Sequence, residues 1–172
     1  MNSYSWYASE ILGAVRYNAG YGGTGILNTG STKPFGTTLA YDWNNMPVDT
    51  TKNIPDVIVI NHGTNDGADD SFSATLLENL RTIHAIYPDA KIVYVIPIWQ
   101  AHAEDIRTTV AAFNAELTAA GDTNTVSIIE TEGWLTKAAD TKDNLHPHAA
   151  GAEKYGTYLA EALIDLLGEE YF

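Results

Sequence analysis

The sequence predicts an α/β fold in which helices cover both faces of a parallel sheet. Three short runs, residues 56–61, 91–96 and 125–129, carry apolar residues at successive positions (57–60, 92–96 and 128–129) rather than strictly alternating. Runs of that kind suit strands buried on both faces, which is how parallel sheets are built. Patterns of helical period separate the runs, so each strand is followed by a crossover helix. Pro55 stands ahead of the first run and Pro97 closes the second.

The elements follow in order. Tyr4, Tyr7, Ala8, Ile11 and Leu12 recur at helical spacing, with Ser3 as the cap and Gly13 as the stop. Residues 14–18 read as a short strand, residues 20–25 as a glycine-rich turn, and residues 38–45 as a short helix. The buried strand at 56–61 comes next. Leu76, Leu77, Leu80, Ile83, His84 and Tyr87 form one face of a helix that ends before Pro88. After the strand at 91–96, Ile106, Val110, Phe113 and Leu117 mark another helix, with Gly121 past its end. The strand at 125–129 precedes the last helix, marked by Tyr155, Leu159, Leu163 and Leu166. No repeat or linker interrupts the pattern, so residues 1–172 read as a single domain. Ligands of such sheets bind beyond the carboxyl ends of the strands. The turn at 20–25 and the segment Gly63-Thr64-Asn65-Asp66 both fall at such ends.

Composition narrows the partners. The 172 residues carry 9 basic and 22 acidic side chains, a net charge of -13 that repels nucleic-acid phosphates and anionic lipid. Neither a nucleic acid nor a membrane is therefore expected as a partner. The absence of cysteine excludes disulfides and thiol chemistry. No apolar run approaches the ~18 residues of a membrane span. The N-terminus has no basic region followed by an apolar core, as a signal peptide would. Localisation stays open.

The chemistry concentrates in a few side chains. In Asp143-Asn144-Leu145-His146-Pro147, His146 can act as a general base near neutral pH. Asp143 can hold one of its ring nitrogens and leave the other to take a proton. The same pattern also suits an ordinary surface pair in a loop before a helix. Asn65 can donate its amide to a developing oxyanion, or make an Asx-turn with Asp66 at a strand end. Asp66 is expected to brace its loop, together with Gly63. A backbone N–H at Gly23 can approach substrate closely, or simply belong to a tight turn. Trp99 and His102 follow a strand end and are candidates for pocket lining, with a core or rim role open for Trp99. Five histidines, at 62, 84, 102, 146 and 148, show no metal-ligand spacing, and no metal is expected.

Together these motifs resemble the SGNH (GDSL-like) hydrolase superfamily, whose four blocks are Gly-Asp-Ser, a glycine, Gly-x-Asn-Asp and Asp-x-x-His. Asn18-Ala19-Gly20-Tyr21-Gly22-Gly23 resembles the second block, Gly63-Thr64-Asn65-Asp66 the third, and Asp143-Asn144-Leu145-His146 the fourth. The resemblance spans nearly the whole chain. It implies a three-layer α/β/α fold with a flavodoxin-like parallel sheet. It implies Asp143 and His146 as triad members, Gly23 and Asn65 as oxyanion donors, and no cofactor. Asn2-Ser3-Tyr4, Val59-Ile60-Asn61 and Tyr87-Pro88-Asp89-Ala90 look like the acetyl esterases of carbohydrate esterase family two. The implied substrate is an acetyl or other short acyl ester on a saccharide.

The Gly-Asp-Ser block and its strand have no counterpart here. Ser3 and Ser5 neither follow a strand nor sit in a Gly-Asp context. The nucleophile is expected upstream of Met1, with the domain truncated at its N-terminus and the sheet lacking its first strand. Open strand edges pair readily with other chains, so strand rearrangement or a homo-oligomer is expected. The alternative is an inactive carbohydrate-binding or scaffold relative of the same fold.

Overall fold

The structure, a computed structural model, describes residues 3–20, 22–27, 49–52 and 54–172. The expected helix at 38–45 lies outside the described residues. The chain divides into two compact units, residues 19–130 and residues 1–18 with 131–172.

The unit of residues 19–130 holds a parallel sheet of β1 (Val57–Ile60), β2 (Lys91–Val95) and β3 (Ser127–Ile129), in that order. Val57 pairs with Lys91 and Ile60 with Tyr94, while Val93 pairs with Ser127 and Val95 with Ile129. The helices between them are α2 (Phe72–Ile86) and α3 (Ala103–Ala119). Phe72, Leu76, Leu80 and Ile83 form the buried stripe of α2; Ile106, Val110, Phe113 and Leu117 form that of α3. Both stripes join Ile92, Tyr94 and Ile96 of the central strand region in one core. Burying each such Leu or Ile contributes about 1.5–3 kcal/mol relative to exposure. Val93 and Val95 point to the opposite face of β2 and are also fully buried. On the surface, Arg81 of α2 grips Glu116 of α3 with two N–H groups, at 2.9 and 2.6 Å.

The second unit is built on α1 (Tyr4–Leu12) and α5 (Ala149–Leu167), with the short α4 (Lys137–Asp140) and a 3-10 turn at Glu169–Tyr171. Ser3 caps α1 by accepting from Trp6 N at 3.3 Å, and Gly13 ends it in the left-handed region. The backbones of α1 and α5 approach closely at Gly156. A Cβ there would stand 2.5 Å from Tyr4 O and from Tyr7 Cβ. The Tyr4 and Tyr155 rings stack 4.4 Å apart beside this contact, and Trp134 meets Tyr155 edge-on.

Two sequence expectations need correction, and one element was not foreseen. Residues 14–18 form no strand: Val15 and Tyr17 are exposed, and no ladder partner exists among the described residues. An apolar pair of that length has no strand character unless another strand supplies its hydrogen bonds. The glycine-rich turn therefore does not follow a strand. Residues 57–60 are not buried on both faces, since Val59 is 40% exposed. Among the described strands β1 lies at the sheet edge, where only Ile58 and Ile60 face the core. Finally, α4 carries too few residues to show a period and was missed.

Candidate active site

Asp143 and His146 lie in the loop between α4 and α5. An antiparallel bridge between Thr141 and Pro147 closes that loop at its base. Lys142 N donates to His146 O and His148 N to Asp140 O, each at 3.0 Å. Asn144 sits at φ 63°, a left-handed position that Asn tolerates better than most residues. That reversal turns the backbone toward the Asp143 carboxylate. Its Oδ1 accepts from Leu145 N at 3.0 Å and from His146 N at 2.7 Å. Its Oδ2 lies 2.7 Å from His146 Nδ1. One carboxylate oxygen thus fixes the loop and the other fixes the ring.

The contact defines the tautomer. An ionised carboxylate only accepts, so Nδ1 carries the proton and Nε2 of the neutral ring is left as a base. The His146 side chain is 73% exposed, so a substrate can reach it. The bond from the His146 ring, then the backbone N–H groups of His146 and Leu145, lower the Asp143 pKa from 3.8 to about 2. Asp143 is therefore a carboxylate at neutral pH and holds the ring without competing for its proton.

His148, two residues on, has a different task. Its Nδ1 accepts from Gly151 N at 3.1 Å, and its Nε2–H donates to Ala139 O at 2.7 Å. It caps α5 and is committed on both nitrogens. Among the described residues no group of three His, Cys, Asp or Glu side chains is placed to hold a metal ion.

In the other unit, Gly63-Thr64-Asn65-Asp66 leaves the carboxyl end of β1. Asn61 Nδ2 donates to Val95 O at 2.8 Å and Tyr94 Oη to His62 O at 3.0 Å, which ties the root of the loop to β2. Burial raises the Tyr94 pKa, and the Asp66 charge raises it further. Burial lowers the His62 pKa, against the opposing pull of Asp66. At Gly63 (φ 128°) a Cβ would meet Pro97 Cγ at 3.1 Å, so backbone angle and space both favour glycine.

Asp66 and Asn65 lace this loop to the glycine-rich turn. Asp66 accepts from Ile26 N at 2.8 Å and Leu27 N at 2.7 Å, one N–H on each carboxylate oxygen. Asn65 Nδ2 donates to Thr24 O at 3.0 Å, while the residue itself stays exposed. Gly23 lies in the same turn at φ 77°, also exposed. Gly25, which the sequence reading did not single out, is the residue beneath the Asp66 carboxylate. It was hidden among the neighbouring glycines. Trp99 is half-buried after β2. His102 opens α3 and, with Ala68, Asp69, Asp70, Ser73 and Asp105, lines a cavity of about 380 Å³.

Residues 2–154 match the GDSL-like lipase/acylhydrolase family. The chain belongs to that family. Its parallel sheet and crossover helices are those of the SGNH hydrolase α/β fold. The family two carbohydrate esterase from Clostridium thermocellum, solved in complex with cellohexaose, shares 22% identity at a TM-score of 0.77, over 96% of this chain and 54% of that one. An acetyl xylan esterase (Est2A) from the rumen bacterium Butyrivibrio proteoclasticus shares 16% identity at a TM-score of 0.75, over 98% and 56%. The family two carbohydrate esterase from Cellvibrio japonicus shares 18% at 0.69, over 95% and 52%. The chain spans about half the length of these solved relatives. No curated protein sequence matches it.

Proposed function

We propose that this GDSL-like chain serves a serine ester hydrolase that removes acetyl or other short acyl groups from a saccharide. The observation that carries the reading is the Asp143–His146 pair, with its 2.7 Å bond and its defined tautomer. Family membership supports the reaction class. The carbohydrate esterases among the structural neighbours, one of them holding cellohexaose, support the saccharide.

In this scheme a serine hydroxyl attacks the ester carbonyl and His146 Nε2 takes its proton. Asp143 stabilises the resulting imidazolium. Asn65 and the backbone N–H of Gly23 donate to the oxyanion. His146 returns the proton to the departing sugar hydroxyl, and water repeats the sequence to release the acid. Ser3 caps α1 and is given no role.

The test is hydrolysis of an aryl acetate and of an acetylated xylan by the protein. His146→Ala should reduce kcat on both by roughly 10³-fold or more. Hydrolysis that survives His146→Ala would overturn the scheme. Saccharide binding without hydrolysis by the wild type would favour the binding-module alternative.

A further inference from the structure

His102 is the N-cap residue of α3, yet its side chain makes no capping bond to the helix. It occupies a left-handed conformation, φ 52° and ψ 23°. Its ring lies flat on Phe72, with centroids 3.9 Å apart and planes 9° apart. Nδ1 stands 2.9 Å from Asp105 Oδ2, and Nε2 stands 3.3 Å from the backbone oxygen of Asp66. Both partners are acceptors, a carboxylate and a peptide carbonyl.

A neutral imidazole has one N–H and one lone pair. It can satisfy one of these contacts and must turn a lone pair toward oxygen at the other. Only the imidazolium donates to both. Among the described residues, the ionisable residues around the ring are Asp105 on its own helix, Asp66 in the loop after β1, and Asp69 and Asp70 ahead of α2. Arg107, one turn along α3, is held by Glu130 and Glu104.

We propose that His102 is a positioning residue: as an imidazolium it straps the Asp66 carbonyl, and with it the Asn65 loop, to the first turn of α3. When the ring loses a proton one of the two bonds is lost and the loop is held less firmly. The consequence for catalysis rests on the reading of Asn65 as an oxyanion donor; the strap itself does not.

The experiment is a pH titration of residues 1–172 followed by NMR of the His102 ring nitrogens, the Asp66 amide and the Asn65 side-chain NH₂. Both ring nitrogens should carry protons on the acidic side, and the Asn65 and Asp66 signals should shift along the same curve as the ring. Asp105→Asn, which leaves the stacking on Phe72 in place, removes the carboxylate at Nδ1 and should weaken the link between the ring and the Asn65 signals. His102→Gln should abolish the response at Asn65 and leave unchanged the remote pair in which Asn114 Nδ2 donates to Val126 O and Val126 N donates to Asn114 Oδ1, each at 2.8 Å. In steady-state kinetics, His102→Gln should lower kcat more than it changes KM and flatten the alkaline side of the pH–rate profile. Asn65 signals that ignore the His102 titration would overturn the proposal, as would a singly protonated ring throughout. Absence of hydrolysis by the wild type would count against the esterase reading alone, since the NMR linkage does not depend on turnover.

Discussion

Gly25 and Asp66 occupy the same space: a Cβ on Gly25 would lie 2.6 Å from the carboxylate carbon of Asp66. The carboxylate sits directly on the backbone of the glycine-rich turn and takes the next two N–H groups, those of Ile26 and Leu27. The two loops are therefore a single hydrogen-bonded piece, and glycine at position 25 is what allows the contact.

Gly25→Ala should push the carboxylate off both N–H groups, and these are charge-assisted bonds. A loss of stability of about 1–3 kcal/mol is expected from the overpacking. Asp66→Ala should destabilise through the same contact, so the double variant should lose less than the sum of the two singles. Urea unfolding of the four proteins measures this, and strict additivity would count against a shared contact.

The Asp143 loop should respond to acid. The Asp143 pKa is lowered from 3.8 to about 2 by the His146 ring and by backbone N–H groups. A lowered carboxylate pKa stabilises the fold above the usual value, and that contribution fades as pH falls through the lowered one. The amide signals of Leu145 and His146 should therefore move with a midpoint near pH 2 rather than near 3.8. In Asp143→Asn that transition should be absent.

Asn65 separates the two readings of its loop. An oxyanion donor acts in the transition state, so Asn65→Ala should lower kcat by about 10²–10³-fold with little change in KM. A residue that only makes a turn would cost stability and leave kcat nearly intact. Steady-state kinetics, with unfolding measured in parallel, distinguishes these outcomes.

Much of the fold was legible because it is local. The helix α1 announces itself through Ser3, Gly13 and one apolar face; α2 and α3 show their stripes at helical spacing; β2 is an unbroken apolar run. The Asp143–His146 pair was legible for the same reason, since its members stand three residues apart and their loop carries an Asn suited to the left-handed turn. Residues 14–18 misled because a strand exists only through a partner, and pairing is not a property of five residues.

The sequence by itself determined the order of the three paired strands and the long helices, the caps of α1, and the spacing of the Asp143–His146 pair. These depend on interactions between residues a turn or less apart, which spacing and residue type express directly. Only the tertiary structure decided that Asp66 holds Ile26 and Leu27, that Asn65 meets Thr24, and that His102 reaches the Asp66 carbonyl. Those bonds join residues 36 to 41 positions apart. Hydrophobic packing of α2 and α3 on the sheet brings such groups within 3.3 Å, and no local pattern encodes which of them will meet.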